Sequence, residues 1–215
     1  MKKLVTMLYA ILAGVSIALG GTAYLSLDNK AVGALFFTLG LFIILTYGFH
    51  LFTGKTLYLF ERPLSYLGDL GIIWAGNLIG AALVAYMERA TRLTEVVAQA
   101  QKVCGVKLGD RLLSVFFLAI FCNFLICVAV DGFARNEHAL GKYVGLFFGV
   151  AGFIVCGFEH CVADMYFITV AGAWSGHALL FLLVATAGNV VGGVVIPICR
   201  KAKERAEGRE KAGIR

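Results

Sequence analysis

The chain has 215 residues, of which 60% are hydrophobic and only 15% carry a charged side chain. That composition excludes an ordinary soluble domain, and the length leaves room for one polytopic membrane domain. The formal net charge is +6. The basic residues lie in predicted loops and in the carboxyl-terminal tail, so the charge indicates membrane orientation rather than binding of nucleic acid.

The hydrophobic pattern predicts an all-α polytopic membrane protein with six membrane-spanning helices. The uninterrupted segments cover about residues 4–27, 70–87, 112–130 and 177–199. The first of them is too long for a signal peptide. The second and fifth segments, at about residues 32–60 and 142–170, are longer, and polar residues interrupt both. We expect helices 2 and 5 to be broken, because a break is tolerated where it lines a cavity or is covered by protein.

Residues 157–165, which interrupt the fifth segment, are the first candidate site. Glu159, His160 and Asp164 fall within six positions of otherwise apolar sequence. An ionisable side chain at membrane depth costs about 3 kcal/mol or more, so such residues indicate function. The alternative is a solvated loop outside the bilayer, for which the apolar flanks leave little room.

A segment earlier in the chain resembles residues 157–169 in sequence. Residues 48–60 align without gaps on residues 157–169, and the Gly-Asn-x-x-Gly run at 76–80 is repeated at 188–192. Two correspondences in one order indicate a duplicated half. We therefore expect two inverted three-helix repeats, with the substrate path at their interface.

The polar segments set the expected orientation. Residues 88–111 form the one substantial loop, and an amphipathic surface helix is expected in its middle. The tail, residues 200–215, is charged throughout and predicts a solvated helix or disorder. Thirteen Lys and Arg residues fall on the side of the two termini and six on the other side. The positive-inside rule then places both termini in the cytoplasm.

Five motifs resemble those of the formate/nitrite transporter family and follow the family order. They are the segments 51–54, 76–80, 122–125, 157–163 and 188–193. The run Gly-Phe-Glu-His at 157–160 is the most distinctive. The resemblance implies a homopentamer of aquaporin-like protomers in a prokaryotic cytoplasmic membrane, each with its own pore for formate, nitrite, hydrosulfide or similar weak-acid anions. Residues 1–199 would be the channel domain and residues 200–215 a cytoplasmic tail.

The resemblance also assigns residues of the pore. The central histidine of the family falls on His160, its threonine partner on Thr53, and its lysine on Lys107, sixteen residues before Asn123. Glu159 belongs to the same predicted pore. Two apolar constrictions are expected from Phe37, Leu41, Leu51 and Phe153.

An anion that crosses an apolar constriction loses most of its hydration, which is costly for a bare charge. Histidine can donate a hydrogen bond or a proton there, because its ordinary pKa lies near cellular pH. Thr53 could orient the ring, while Lys107 and Asn123 would concentrate the anion. The alternatives are a core histidine for His160, an interhelical hydrogen bond for Asn123 and a loop lysine for Lys107.

Two positions depart from the family pattern in opposite senses. The family usually has Asn where Asp164 stands, and a neutral polar residue where Lys55 stands. The repeat aligns these two positions with each other. We expect Lys55 and Asp164 to compensate one another near the broken helices, since buried charges are normally paired. In the alternative arrangement each lies solvated at a different mouth of the pore.

Other classes of function remain open on the sequence alone. An intramembrane redox subunit, or a scaffold within a larger complex, could also bury Glu, His and Asp. However, no His pair suits a haem, and no His-Glu-x-x-His motif occurs. We expect no enzymatic activity, no metal or other cofactor, and no nucleic-acid partner. The expected partners are small monovalent anions, membrane lipid and further copies of the chain.

Overall fold

The computed structural model describes the backbone of residues 1–211 and the side chains of residues 1–207. Within that part, the regular structure is helical, which confirms the predicted fold class. The α-helices are α1 (Lys2–Leu25), α2 (Lys30–Tyr47), α3 (Phe52–Lys55), α4 (Tyr66–Arg89), α5 (Thr94–Leu108), α6 (Leu112–Arg135), α7 (Ala139–Val155), α8 (Cys161–Ala171) and α9 (Gly176–Lys211). A 3-10 turn, Thr56–Tyr58, follows α3.

Helices α1, α2, α4, α6 and α9 are, among the described residues, long and apolar enough to cross a membrane. Helices α7, of 17 residues, and α8, of 11 residues, are shorter and apolar. Because α2 with α3 and α7 with α8 form the two broken segments, six spans result, as predicted. The breaks cover residues 48–51 and 156–160.

The polar segments are also helical. Helix α5 buries Val96, Ala100 and Cys104, spaced four residues apart on one face, and packs mainly against α8. Helix α9 does not end at residue 199 but carries most of the predicted tail to Lys211, with exposed side chains from residue 201 to 207. The last four residues of that tail lie outside the described part of the chain.

Small residues show the duplication in three dimensions. Helix α1 packs on α4 as α6 packs on α9. A side chain at Gly80 would overlap the Ile11 carbonyl, and one at Gly192 would overlap the Ile120 carbonyl. Positions 11 and 120 differ by 109, the offset that aligns 48 with 157. Each half has three spans, an odd number, so the second half enters the membrane from the opposite side.

Each break has a left-handed glycine within its first two residues. Gly48 has φ of 70° and Gly157 has φ of 67°, a backbone conformation that residues other than glycine rarely adopt. In each case the next amide closes the helix end: Phe49 N donates to Ile44 O at 3.0 Å, and Phe158 N donates to Phe153 O at 3.0 Å. The two glycines therefore end α2 and α7 inside the bundle without leaving those amides unpaired.

An asparagine from α4 holds the first break in place. Asn77 Nδ2 donates to Ala10 O at 2.8 Å and to His50 O at 2.9 Å. Its Oδ1 accepts from Phe52 N at 2.8 Å. Asn77 is fully buried. It thus satisfies two backbone groups of the break, which would otherwise lack partners in an apolar interior.

Asn189 of α9 repeats this arrangement at the second break. Its Nδ2 donates to Ala119 O and to Glu159 O, both at 2.8 Å. Its Oδ1 accepts from Cys161 N at 2.9 Å. The repeated Gly-Asn motif of the sequence therefore positions the two broken segments, including the backbone next to His160.

We expect Asn189→Ala to lower the free energy of unfolding by about 3 kcal/mol, because two buried backbone groups of the break, Glu159 O and Cys161 N, lose their partner. Unfolding of the detergent-solubilised protein by sodium dodecyl sulfate measures the loss. Asn29→Ala is the control, since Asn29 caps α2 from an exposed position and should cost about 1 kcal/mol. A loss no larger than that of the control would contradict the role given to Asn189.

Candidate functional site

Two cavities enter the bundle from opposite ends of α6. The first, of about 540 Å³, is lined by Leu118 near the beginning of α6, and the second, of about 230 Å³, by Val130 near its end. Twelve helical residues separate these positions, a rise of about 18 Å. The cavities share no lining residue. Buried side chains therefore separate them near the middle of the bundle.

His160 and Thr53 meet between the two breaks. His160 caps α8, and its Nδ1 accepts from Ala163 N at 3.1 Å. Its Nε2 lies 2.9 Å from Thr53 Oγ1. A backbone N–H can only donate, so Nδ1 carries no proton in the neutral ring and Nε2–H donates to Thr53. Both side chains are buried, with His160 1% exposed and Thr53 0% exposed.

Apolar side chains accompany this polar pair. The Phe153 ring stacks on the His160 ring with 5.5 Å between centroids, and Phe37 meets Phe153 edge-on at 5.9 Å. Phe153 lines the first cavity, while Leu41 and Leu51 line the second. All four apolar residues are buried. Three of the four residues predicted to form the constrictions therefore line a cavity, and Phe37 contacts one of them, Phe153.

One ammonium and two carboxylates meet in the first cavity. Lys107 lies at the end of α5, and its ammonium donates a hydrogen bond to Glu159 Oε2. The same Nζ lies 3.0 Å from Asp164 Oδ1. Asp164 is fully buried, and its Oδ2 has no hydrogen-bond partner among the described residues. All three side chains line the cavity together with His160. Within the described residues, no group of three or more His, Cys, Asp or Glu could hold a metal ion.

The predicted pair of Lys55 and Asp164 does not form. Asp164 pairs with Lys107 in the first cavity, whereas Lys55 lines the second. The physical reason is that α3 and α8 leave the centre in opposite directions. The chain after α3 reaches Phe60, whose carbonyl contacts Lys201 near the end of α9, whereas α8 leads to the start of α9. Equivalent positions of the halves therefore face different mouths.

Asn123 does not line either cavity, contrary to the pore role that the sequence suggested. Its Nδ2 donates to Asn189 O at 2.6 Å and to Thr56 Oγ1 at 3.0 Å. A third contact reaches Thr53 O at 3.3 Å. Asn123 therefore joins α6 to α9 and to the segment that carries Thr53. Its side chain faces neighbouring helices. The hydropathy of the sequence does not specify how α6 is rotated about its axis, and this rotation decides what Asn123 faces.

Asp110, which lies in the segment predicted to be a loop, also lines the first cavity. The hydrogen bond from Ser114 Oγ, at 2.5 Å, is the main cause that lowers the pKa of Asp110, and the Arg111 amide contributes. This carboxylate is therefore ionised at neutral pH. The first cavity thus holds three acids and one lysine. The position of Asp110, three residues after Lys107, was the signal in the sequence.

The sequence also does not indicate that Glu88 is buried, because this residue falls in a segment predicted to be a loop. Glu88, at the end of α4, is 7% exposed. Its Oε2 accepts from the Tyr166 hydroxyl at 2.6 Å, and its Oε1 accepts from Thr22. The cluster ties α1, α4 and α8 together. It therefore fixes α8, the helix that His160 caps and that carries Asp164.

Comparisons with known proteins agree with this geometry. A family model described as "Formate/nitrite transporter" matches residues 1–201. The chain is 31% identical over 203 residues to a "Probable formate transporter" of Methanothermobacter thermautotrophicus, covering 79% of this chain and 73% of that protein. It is 34% identical over 187 residues to the "Uncharacterized transporter YrhG" of Bacillus subtilis, covering 78% and 68%.

A solved structure extends the agreement from sequence to fold. The structure described as "Pentameric formate channel with formate bound" matches with a TM-score of 0.85 and 25% sequence identity. The match covers 95% of this chain and 98% of that chain. Broken spans, a family match over residues 1–201 and close structural similarity lead to one conclusion. The chain is an integral membrane protein that belongs to the formate/nitrite transporter family.

Proposed function

We propose that the protein conducts small monovalent weak-acid anions, with formate and nitrite as substrates and hydrosulfide in the same class. The observation that carries this proposal is the pair of His160 Nε2–H and Thr53, buried beside apolar side chains between two cavities. The names of the relatives support formate. The other candidate, a redox or scaffold subunit, has no comparable observation in its favour.

Donation of a hydrogen bond by neutral His160 fits the geometry better than donation of a proton. A second proton on the ring would sit on Nδ1, which faces the amide hydrogen of Ala163. It would replace a hydrogen bond with a contact between two donors. An anion that has lost its water among Phe153 and Leu51 instead gains a partner at Nε2–H or at the Thr53 hydroxyl. Such a partner offsets part of the desolvation cost.

Lys107 supplies the positive charge at the mouth of the first cavity. Its contacts with Glu159 and Asp164 hold the ammonium beside His160 rather than in solvent. A fixed charge in a cleft with apolar walls raises the local concentration of counter-ions. The three carboxylates of the cavity, on Asp110, Glu159 and Asp164, outnumber this one ammonium and oppose the attraction. We infer that they limit how strongly an anion is retained before it reaches the constriction.

We further propose that five copies assemble in the membrane, each with its own pathway. The pentameric relative of known structure supports this number. Large apolar side chains on the outside of the helices need lipid or another protomer. They include Leu35, Phe36, Phe117, Phe121 and Phe148. The excess of Lys and Arg at the terminal side supports cytoplasmic termini, so the second cavity would open to the cytoplasm.

Purified protein in liposomes tests the function. Initial fluxes of formate, nitrite, hydrosulfide and chloride are measured at two pH values, beside protein-free liposomes. We expect formate and nitrite to pass much faster than through protein-free liposomes, and chloride to pass more slowly than formate. Native mass spectrometry of the same sample should give five copies. Formate and nitrite fluxes equal to those of protein-free liposomes would overturn the proposal.

A further inference from the structure

The two cavities carry very different charges. The first has Lys107 with three acids, Asp110, Glu159 and Asp164. The second has Lys55 as the one charged side chain among its described lining residues. We propose that Lys55 forms an anion-binding site in the second cavity, which receives a small monovalent anion before it crosses the constriction. The site rests on the proposed function, because its ligand is the transported anion.

The backbone holds Lys55 at the inner end of this cavity. Lys55 N donates to Leu51 O at 2.9 Å, so the lysine lies one helical turn beyond the constriction residue Leu51. The Tyr66 hydroxyl donates to Lys55 O at 3.0 Å and fixes the turn that follows. Lys55 is half-buried and lines the cavity together with Leu41 and Leu51. An anion beside its ammonium would therefore be close to the constriction.

Within the part of the chain that the structure describes, no carboxylate neutralises the Lys55 ammonium. Among the side chains of residues 1–207, no Asp or Glu oxygen lies within 4.0 Å of Lys55 Nζ. The charged neighbour that acts on Lys55 is Arg62, which has the same sign. A half-buried ammonium without a counter-ion has a free-energy cost, which a bound anion would lower. Lys107 differs, because its partners already supply two negative charges.

The internal repeat shows that the two cavities differ in charge at one pair of equivalent positions. Lys55 and Asp164 occupy the same place in the two halves, one turn beyond Leu51 and His160 respectively. The Asp164 carboxylate lies within 3.0 Å of the Lys107 ammonium, whereas Lys55 forms no ion pair with an acid of the described part of the chain. Equivalent backbone positions of the two halves therefore place an acid, Asp164, in the first cavity and a base, Lys55, in the second. The result is a pathway with an anion-attracting mouth at the side of the two termini.

The size and lining of the cavity suit a small anion. A volume of about 230 Å³ holds an anion of three or four heavy atoms with a few waters. Tyr58 adds a hydroxyl, and the remaining side chains are apolar. A partly dehydrated formate or nitrite could therefore lie between the ammonium and the apolar side chains. A larger organic anion would have to leave part of its surface in the solvent.

Formate uptake into right-side-out and everted membrane vesicles tests the site, because the two preparations expose different mouths. We expect Lys55→Gln to raise the half-saturating formate concentration about fivefold from the face that bears the termini, and to change it little from the other face. Lys55→Arg should keep the wild-type value, because it keeps the charge. Lys3→Gln is the matched control, since Lys3 is exposed on the same face and outside the cavity.

The outcomes separate the site from the function. Wild-type vesicles that take up no formate would overturn the proposed function and, with it, the site. Active wild-type vesicles with equal half-saturation for wild type and Lys55→Gln at both faces would overturn the site alone. An equal change for Lys3→Gln and Lys55→Gln would also overturn it, because a general surface charge would then explain the effect. Elution of the variants at the wild-type position in size-exclusion chromatography confirms that they remain assembled.

Discussion

Replacement of His160 with Phe is expected to lower formate flux about 100-fold while the oligomer remains folded, since a hydrogen bond to a charged group contributes about 1.5–3 kcal/mol. Phe keeps the stacking against Phe153 but removes the Nε2–H donor. It also removes the cap at Ala163, for which we expect a stability loss of about 1 kcal/mol. Initial flux in proteoliposomes and elution volume in size-exclusion chromatography measure the two effects separately.

Two further variants sharpen this result. Thr53→Val removes only a hydroxyl and should lower flux by about tenfold, because Nε2–H remains available to the anion. His138→Phe is the control, since His138 is exposed at the start of α7 and lines neither cavity. Formate flux in His160→Phe equal to that in His138→Phe would remove His160 from the mechanism.

Lys107→Met is expected to cause the largest loss of stability, about 3–5 kcal/mol, because Glu159 and Asp164 are left buried without a cation. Formate flux should fall as well, since the positive charge of the first cavity is lost. Adding Asp164→Asn to Lys107→Met removes one of the uncompensated charges. The double variant should therefore recover much of the stability, and a double-mutant cycle gives the coupling between the two residues.

The control for Lys107 lies on the same helix. Lys102 is exposed on α5 and outside the first cavity, so Lys102→Met should change the free energy of unfolding by less than about 0.5 kcal/mol. Unfolding by sodium dodecyl sulfate compares the two variants. Equal losses for Lys102→Met and Lys107→Met, or strictly additive losses in the cycle, would contradict the ion cluster.

The sequence predicted the breaks because their cause is local. Gly48 and Gly157 open the aligned segments, and a left-handed residue is needed where a helix ends inside a bundle. Apolar segments of adequate length predicted the spans for the same reason. The repeated Asn77 and Asn189 were visible too, although only the structure showed that their amides bond to the broken backbone.

Side-chain partners could not be predicted in the same way. Alignment of the halves placed Lys55 opposite Asp164, but alignment carries no information about the direction in which α3 and α8 leave the centre. The partner of Asp164 came instead from α5, more than fifty residues earlier in the chain. Asn123 likewise lies on a predicted span, and the rotation of α6 decides whether its amide meets a cavity or a neighbouring helix.

We propose that each protomer conducts the anion past its own His160, a claim that oligomers of mixed composition can test. Wild-type and His160→Phe subunits are co-expressed at known ratios, and formate flux is measured in proteoliposomes as a function of the mutant fraction. Independent pathways predict a linear fall in flux towards the value of the pure mutant. Flux that does not change with the mutant fraction, or that collapses when one mutant subunit is present, would contradict the claim.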